Sequence, residues 1–430
     1  MTRRRLITID IVAATLIAVL LATSSKGHDS EVEVPKEFPE LNKILENGMS
    51  DIPELEKMDH SVDSFLRYWC IEGASLAIMR NDSLVYAKGY GWADKEKGVR
   101  MSPSTKLRMA SVSKLVTAAG IMHLKDQGRL ALQSPIFGPY GILNRFDDAY
   151  KDQNYCLITV EDLLRHEGGF TTRAGDPMFS TVVMERQMGL SSPPTQDELV
   201  RHLLRQRLTY TPGKDRSYSN FGYLLLSMVI EEVTGMPYET YMRDSVLAPA
   251  GCYDFHIGGN YYAERLPGES RYYMQPDSED VPDINDNSRM VPKCYGGNDV
   301  SGLSGAGGWI ASTSELARFV ASIDLRDAVP DILSPESIRQ MTTWVDEATY
   351  SLGWVDTKPD GEWTRTGSFS GTSALVKVYP DGECWIMITN TSSWRGSRFS
   401  KNVSGFFRRL RHRWSAVLPA RDLFLDGTPA

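Results

Sequence analysis

Ser111 and Lys114 are the first residues whose types and spacing could do chemistry. At the start of a helix, residues three apart lie on the same face, so the hydroxyl and the amine can touch. A serine hydroxyl is a weak nucleophile at neutral pH, and a lysine can serve as its base only when burial or nearby cations lower the lysine pKa. Taken alone, the pair also fits an N-capping serine followed by a surface lysine.

A second group follows about 100 residues later, at Tyr218, Ser219 and Asn220. A tyrosine can relay a proton when its phenol lies near a lysine ammonium group. The asparagine amide can donate to a substrate carbonyl and accept from the same lysine. Taken alone, these residues also fit a loop tyrosine and a helix-capping asparagine.

The third group is Arg365, Thr366, Gly367 and Ser368. A cation, a small hydroxyl residue and a glycine on a strand would let a substrate lie along the backbone, with the Ser368 amide available to an oxyanion. Arginine can clasp a carboxylate with two nitrogens, but it cannot give up a proton at working pH. Taken alone, the segment also fits an edge-strand arginine followed by a turn.

The elements around these groups follow from hydrophobic periodicity and turn residues. We predict strands over 74–79, 83–90, 351–355, 374–379 and 383–391, and helices over 55–68, 113–127, 159–165, 196–205, 221–233, 313–322 and 401–414. Because strands at both ends enclose a helical middle, we expect the first and last thirds to share one antiparallel sheet. The predicted class is α+β: an antiparallel sheet flanked by helices, with an inserted all-helical lobe.

The predicted domain boundaries follow this reading. Residues 1–24 are predicted to form a signal peptide or N-terminal anchor, 25–51 a linker, 52–416 one two-lobed domain and 417–430 a C-terminal tail. Within the domain, 52–124 and 301–416 make the sheet lobe and 125–300 the helical lobe. A cleft between the lobes would be a natural binding site.

The N-terminus carries the pattern of an export signal. Three arginines at positions 3–5 precede an apolar run over 11–22 and small residues at 23–25. We therefore expect an exported protein that is periplasmic or membrane-anchored and faces away from the cytoplasm. The apolar run is shorter than a typical membrane span, so cleavage is the first expectation and an uncleaved membrane tether the alternative.

Composition excludes several other classes. The 47 basic and 55 acidic residues give a net charge of −8, so nucleic acid is not an expected partner. The five cysteines are scattered singly and the histidines show no paired metal spacing, so neither a metal nor a cofactor is predicted. The expected partner is a small-molecule or peptide substrate, and the sequence leaves the oligomeric state open. His166 is interpreted as a loop histidine rather than as part of a catalytic triad.

The three groups, in this order and with about 105 and 145 residues between them, resemble the serine β-lactamase-like superfamily. The similarity is to the branch of class C β-lactamases, D-alanyl-D-alanine carboxypeptidases, penicillin-binding proteins and related esterases. Stretches over 163–170, 211–213 and 305–319 also look like that branch. The resemblance implies a β-lactamase/transpeptidase-like fold over residues 52–416.

The resemblance also implies roles for the site residues. Ser111 would be the acylated nucleophile, Lys114 and Tyr218 the proton-handling pair, and Asn220 a substrate-positioning residue. Residues 365–368 would bind substrate, and the amides of Ser111 and Ser368 would form the oxyanion hole. The third group usually begins with lysine or histidine in this family, so Arg365 is a departure that favours carboxylate recognition over proton relay.

The predicted function is that of an exported serine hydrolase that forms an acyl-enzyme at Ser111. Its substrate would be an amide or ester: a peptidoglycan-type or D-amino-acid peptide, an ester or a β-lactam. The alternative is a non-hydrolytic binding or sensor protein on the same scaffold, and Arg365 is its main support.

Overall fold

The computed structural model describes residues 38–425, except Ala174 and Ala348. The predicted signal peptide or anchor, together with the first part of the predicted linker, lies outside these residues. Among the described residues, no helix has the length and apolarity needed to span a membrane. The five cysteines all carry free thiols.

Seven antiparallel strands form the main sheet, in the order β3-β2-β1-β12-β11-β10-β9. Strands β1 and β12 pair along their whole length, from Ala74 opposite Thr389 to Arg80 opposite Glu383. This pairing confirms that the first and last thirds of the chain share one sheet. The main-sheet strands are β1 (Gly73–Arg80), β2 (Ser83–Asp94), β3 (Val99–Arg100), β9 (Asp356–Thr357), β10 (Trp363–Phe369), β11 (Thr372–Val378) and β12 (Glu383–Thr389).

Apolar residues cover both faces of the central strands. In β1, Leu76 and Ile78 point to one face while Ala77 and Met79 point to the other, and all four are buried. Such a two-sided core requires helices on both faces of the sheet. The β1–β2 hairpin turns at 81–82, where both residues have positive φ, as a tight two-residue turn demands.

Helices cover the two faces and build the second lobe. Helix α2 and helix α12 pack on one face, and helix α10 packs on the other beside the helical lobe. The α-helices are α1 (Leu41–Ile44), α2 (Glu56–Tyr68), α3 (Ser113–Asp126), α4 (Val160–Leu164), α5 (Thr181–Met188), α6 (Gln196–Leu204), α7 (Asn220–Thr234), α8 (Tyr238–Tyr241), α9 (Val300–Leu303), α10 (Thr313–Ala321), α11 (Pro335–Thr342) and α12 (Phe399–Trp414).

The helical lobe contains strands that we did not predict. Strand β5 (His256–Ile257) joins β4 (Leu107–Arg108) and β8 (Trp309–Ala311) in a small sheet. Strands β6 (Val281–Pro282) and β7 (Met290–Val291) pair with each other. The lobe is therefore not all-helical, because its long loop over 254–299 forms short two-residue pairings that leave no periodic signal in the sequence.

The predicted strand over 351–355 is wrong. Gly353 has φ +85, and a Cβ on it would lie 2.7 Å from the side chain of Ala118, so the chain turns there against helix α3. The extended segment begins at Asp356 instead.

Both ends of the described chain pack on the domain. The Asn47 side chain accepts from the Gly89 amide and donates to the Met101 carbonyl. At the other end, Leu423 donates its amide to the Leu84 carbonyl, and Phe424 is buried. Residues 39–51 and 417–425 are therefore built into the domain, in contrast to the expected linker and tail.

Candidate active site

A short 3-10 helix, Ala110–Val112, places Ser111 just before helix α3. Ala110 has φ +48, a conformation that costs a non-glycine residue free energy and that turns the chain sharply before Ser111. Strand β10 lies directly against this turn: a Cβ on Gly367 would lie 2.2 Å from the Met109 carbonyl oxygen and 3.0 Å from the Ser111 amide nitrogen. Ser111 remains partly exposed, so its hydroxyl can be reached from solvent.

The Lys114 ammonium group lies one helical turn from Ser111 and is fully buried. Its Nζ is 3.3 Å from Ser111 Oγ and 2.6 Å from Asn220 Oδ1, and it also donates to the Ala306 carbonyl. All three acceptors are neutral. Burial lowers the Lys114 pKa, and the positive charge of Arg365 acts in the same direction, although Tyr218 opposes both.

Tyr218 faces two cations. Lys114 Nζ lies 5.0 Å from the centre of its ring, and Arg365 Nη2 is 3.2 Å from its hydroxyl oxygen. Burial of the phenol alone would raise its pKa. The charges of Lys114 and Arg365, together with hydrogen bonds to Ser111 and Lys114, outweigh burial and lower the Tyr218 pKa to about 8.

Asn220 is held at both ends of its amide. It is the first residue of α7, after Ser219, whose hydroxyl accepts from the Gly222 amide and caps the helix. Its Oδ1 accepts from Lys114, and its Nδ2 donates to Asp176 Oδ2 at 2.6 Å. The carboxylate of Asp176 thus fixes which end of the amide faces Lys114. No sequence motif singles out Asp176, which lies in an irregular loop.

The Arg365 guanidinium is 1% exposed and binds the protein itself. Its Nε donates to the Ser111 carbonyl at 2.8 Å, and its Nη2 donates to Tyr218. Nη1 is buried and has no hydrogen-bond partner among the described residues. This differs from the expected open clasp for a substrate carboxylate, since Nε and Nη2 are held by the protein and Nη1 is buried.

The remainder of the third group lies along the edge of the sheet. Strand β9 pairs only with Trp363 and Thr364 of β10, while β11 pairs with all of β10, placing Ser368 opposite Ser373. Thr366 and Ser368 are partly exposed, and Gly367 is buried against the Ser111 turn. The structure therefore brings residues 365–368 next to Ser111, as the sequence predicted.

Two further contacts were not assigned to the site from the sequence. The His166 ring packs on Tyr218 with 4.3 Å between ring centres, and its Nδ1 accepts from the Ser219 amide. Burial, together with the charges of Lys114 and Arg365, holds the His166 pKa well below its usual range, so the ring is neutral. The Ala306 carbonyl, in the glycine-rich stretch before β8, anchors Lys114.

A cavity of about 240 Å³ borders the second group on the side of the helical lobe. Asp176 and Ser219 contribute polar atoms to its wall. The rest of the wall is mixed: Phe170, Pro177, Val183, Met184, Leu208 and Phe221 are apolar, while Thr171, Gln187, Gln206 and Arg207 are polar or charged. The cavity can hold an apolar group of a ligand bound near Asn220.

Comparisons with known proteins identify the family of this chain. A family model described as Beta-lactamase matches residues 63–404. The chain is similar to a putative D-alanyl-D-alanine carboxypeptidase of Escherichia coli O157:H7, with 25% identity over 71% of this chain and 72% of that protein. It is also similar to the putative penicillin-binding protein PbpX of Bacillus subtilis strain 168, with 25% identity over 77% and 73% of the two chains.

Among solved structures, the D-amino acid amidase of Ochrobactrum anthropi SV3 has the same fold. The TM-score is 0.66 at 21% identity, over 85% of this chain and 99% of the amidase. The family model covers most of the described domain, including the Ser111, Tyr218 and Arg365 groups. The chain therefore belongs to the Beta-lactamase family and is a serine hydrolase of that family.

Proposed function

We propose that the protein is an exported enzyme that forms an acyl-enzyme at Ser111 and hydrolyses an amide or ester bond. The observation that carries the proposal is the contact between the fully buried Lys114 ammonium group and the Ser111 hydroxyl, with no carboxylate among the hydrogen-bond acceptors of the lysine. A buried lysine without a carboxylate partner loses its proton more easily than a surface lysine, and it can then act as a base.

In the first half of the reaction, Ser111 Oγ attacks the substrate carbonyl carbon, and its proton passes to the Lys114–Tyr218 pair. The amides of Ser111 and Ser368 would stabilise the negative oxygen that develops. When the bond to the leaving group breaks, the pair returns the proton to the leaving amine or alcohol. In the second half, water attacks the acyl carbon and gives a proton to the same pair. The bond between that carbon and Ser111 Oγ then breaks, the pair returns the proton to Oγ, and the acyl group leaves as a carboxylic acid.

Other residues of the site would orient the substrate. Asn220 uses one amide hydrogen for Asp176, and its second hydrogen remains for a substrate carbonyl. The edge of β10 beyond Thr364 would let a substrate lie along the strand backbone, with Thr366 and Ser368 beside it. The cavity beside Asp176 would take an apolar group of the substrate.

The names of two similar proteins support amide hydrolysis as the reaction type, since one is a putative D-alanyl-D-alanine carboxypeptidase and the other a D-amino acid amidase. Peptidoglycan-type peptides, D-amino-acid peptides, esters and β-lactams all remain candidate substrates. Export is supported by the basic and apolar pattern of residues 3–22. Cell fractionation followed by N-terminal sequencing tests it: we expect the mature chain outside the cytoplasm, and recovery of the intact chain in the cytosol would contradict export.

The direct test is intact-mass analysis after incubation with a fluorophosphonate and, separately, with a penicillin. We expect a covalent adduct on the wild-type protein and on Ser301→Ala, a control at an exposed serine outside the site. Ser111→Ala should form no adduct. Equal labelling of Ser111→Ala, or no labelling of the wild type by either reagent, would overturn the proposal.

The second candidate is a binding or sensor protein that is acylated without turnover. Arg365 favours it, because the guanidinium beside Tyr218 cannot pass on a proton. The same experiment separates the two functions. A penicilloyl adduct that persists for hours, together with no hydrolysis of activated esters or amides, would identify the binder, whereas decay of the adduct would identify the hydrolase.

A further inference from the structure

Two exposed aromatic side chains lie beside helix α12. Among the described helices of the sheet lobe, α12 is the only strongly basic one. Tyr68, at the end of α2, is 79% exposed, and Trp394, in the loop before α12, is 68% exposed. Helix α12 presents four exposed Lys and Arg side chains to solvent, and Arg398 directly precedes it. We call this surface the basic-aromatic face; it consists of Tyr68, Trp394, Arg398, Lys401, Arg408, Arg409 and Arg413.

The exposed rings of Tyr68 and Trp394 pack on buried aromatic side chains. The buried Trp69 ring contacts the rings of both Tyr68 and Trp394, with centres 5.3 and 5.8 Å away. Beneath them, Phe65 of α2 stacks on Phe406 of α12 at 4.2 Å. Because the base is buried, the exposed tips are held outward rather than folding back onto the domain.

The charge of this face is opposite to that of the chain as a whole. The chain carries a net charge of −8, yet residues 394–414 contain seven Lys and Arg side chains and no Asp or Glu. Arg411 points inward and binds Glu383. Within the described part of the chain, no ion pair is formed by Arg398, Lys401, Arg408, Arg409 or Arg413.

An open groove runs between α2 and α12 across this face. Tyr68, Lys401 and Arg409 line this groove. Helix α2 also contributes two serines, Ser61 and Ser64. Helix α2 carries three acidic residues, and none of them lines the groove: Asp59 is bound by Lys88, and Glu56 and Asp63 lie outside the groove lining. Basic side chains, hydroxyl groups and aromatic rings therefore share one continuous surface.

We propose that the basic-aromatic face binds the surface of an anionic lipid bilayer. Tyrosine and tryptophan side chains are enriched at the boundary between headgroups and hydrocarbon, where an apolar ring and a polar tip both find partners. Basic side chains near an anionic bilayer are attracted to its surface potential. A second copy of the chain fits less well, because a two-fold contact would bring two basic faces together.

The proposal does not depend on the reaction at Ser111. The basic-aromatic face would hold the domain against a membrane whether or not the N-terminal segment is cleaved. The attraction is electrostatic at long range, so binding is expected to weaken as the salt concentration rises from 50 to about 500 mM.

The test is co-sedimentation of the full chain with vesicles of equal parts phosphatidylglycerol and phosphatidylcholine, compared with phosphatidylcholine alone. The charge variant is Arg408→Glu with Arg409→Glu, and the aromatic variant is Tyr68→Ser with Trp394→Ser. Matched controls are Lys151→Glu with Lys214→Glu, at exposed lysines of the helical lobe, and Tyr140→Ser, at a 92% exposed tyrosine.

We expect the wild type to prefer anionic vesicles, the charge and aromatic variants each to lose about tenfold or more in affinity, and the controls to stay within about twofold of wild type. Thermal midpoints equal to that of the wild type would show that the variants are folded. Equal binding by wild type and charge variant would overturn the proposal and assign the binding to the N-terminal apolar run. A concentration-dependent dimer that the same variants abolish would overturn it in favour of a second copy.

Discussion

Two buried lysines of this protein have opposite surroundings. Lys106 Nζ lies 2.8 and 2.9 Å from the two carboxylate oxygens of Asp254, and this carboxylate also binds His256 and Asn42. Lys114 Nζ contacts a hydroxyl, an amide and a backbone carbonyl. Among residues 38–425 as described, no carboxylate lies within ion-pairing distance of Lys114.

Lys106 stabilises the fold, whereas Lys114 is placed to take part in the reaction. Burial alone would raise the Asp254 pKa, but the hydrogen bonds from His256, Lys106 and Asn42 outweigh it and hold that pKa well below the usual range. The Asp254 carboxylate therefore stays ionised, and its contacts with Lys106 tie the residue before β4 to the segment after α8. Lys114 has no such partner, so burial lowers its pKa and prepares it to exchange protons.

The largest expected effect is that of Lys114→Met on activity. Loss of the amine removes the group beside Ser111, and we expect acylation to slow by roughly 10²–10⁴-fold. The thermal midpoint should not fall, because a desolvated charge without a carboxylate partner is removed at the same time. Fluorophosphonate labelling and thermal unfolding measure the two effects. A sharp fall in the midpoint would mean that Lys114 mainly stabilises the fold.

Lys106→Met should show the reverse pattern. It leaves the Asp254 carboxylate without its ammonium partner, and we expect the free energy of unfolding to fall by about 2 kcal/mol. The labelling rate of the folded protein should stay near that of the wild type. Urea unfolding measures the change, with Lys151→Met at an exposed position as control. If both lysine variants lost the same stability, the contrast between the two sites would be wrong.

Arg365→Ala should slow acylation by about tenfold with neutral and acidic substrates alike. Its Nε and Nη2 hold the Ser111 carbonyl and the Tyr218 hydroxyl, so the loss acts on the nucleophile and on the proton pair. Arg365→Lys keeps the charge and is the matched control. Steady-state kinetics with a neutral ester and a carboxylate-bearing analogue measure the effect. A loss confined to the acidic substrate would instead assign Arg365 to substrate recognition through Nη1.

The smallest effect is expected for Asp176→Asn. The charge of Asp176 raises the Lys114 pKa in part, so its removal lets Lys114 lose its proton at lower pH. In a plot of acylation rate against pH, the rise on the acidic side should move to lower pH by about one unit. The asparagine keeps an acceptor for Asn220, whereas Asp176→Leu does not, and comparing the two separates charge from orientation. If the pH dependence of the acylation rate were the same as in the wild type in both variants, Asp176 would have no role in setting the Lys114 pKa.

Much of the framework could be predicted from residue patterns. β-rich runs predicted strands over 74–79 and 83–90, which form the β1–β2 hairpin, and the Ser111 group was predicted at the start of a helix, where it lies. The family resemblance, and not the residue patterns, implied that the three groups share one site. Contacts from Lys114 to Ser111 and Asn220, and from Arg365 to Tyr218, bring them together.

The remaining features depend on contacts that leave no local pattern. Asp176 binds Asn220 across 44 residues, from a loop without periodicity. Lys114 is anchored by the Ala306 carbonyl, a backbone atom that any residue type would supply. The inward orientation of Arg365 follows from the close approach of β10 to the Ser111 turn at Gly367, which only the folded chain reveals.

The pH dependence of Ser111 acylation tests most directly whether the Lys114–Tyr218 pair activates Ser111. Below pH 8 the Tyr218 phenol keeps its proton, and above it the phenolate can accept one; the lowered Lys114 pKa acts in the same direction. We therefore expect the second-order rate of fluorophosphonate labelling, measured from pH 5 to 10, to rise with an inflection near pH 8. In Tyr218→Phe that inflection should move or vanish. A flat profile, or the same inflection in Tyr218→Phe, would contradict activation of Ser111 by the Lys114–Tyr218 pair.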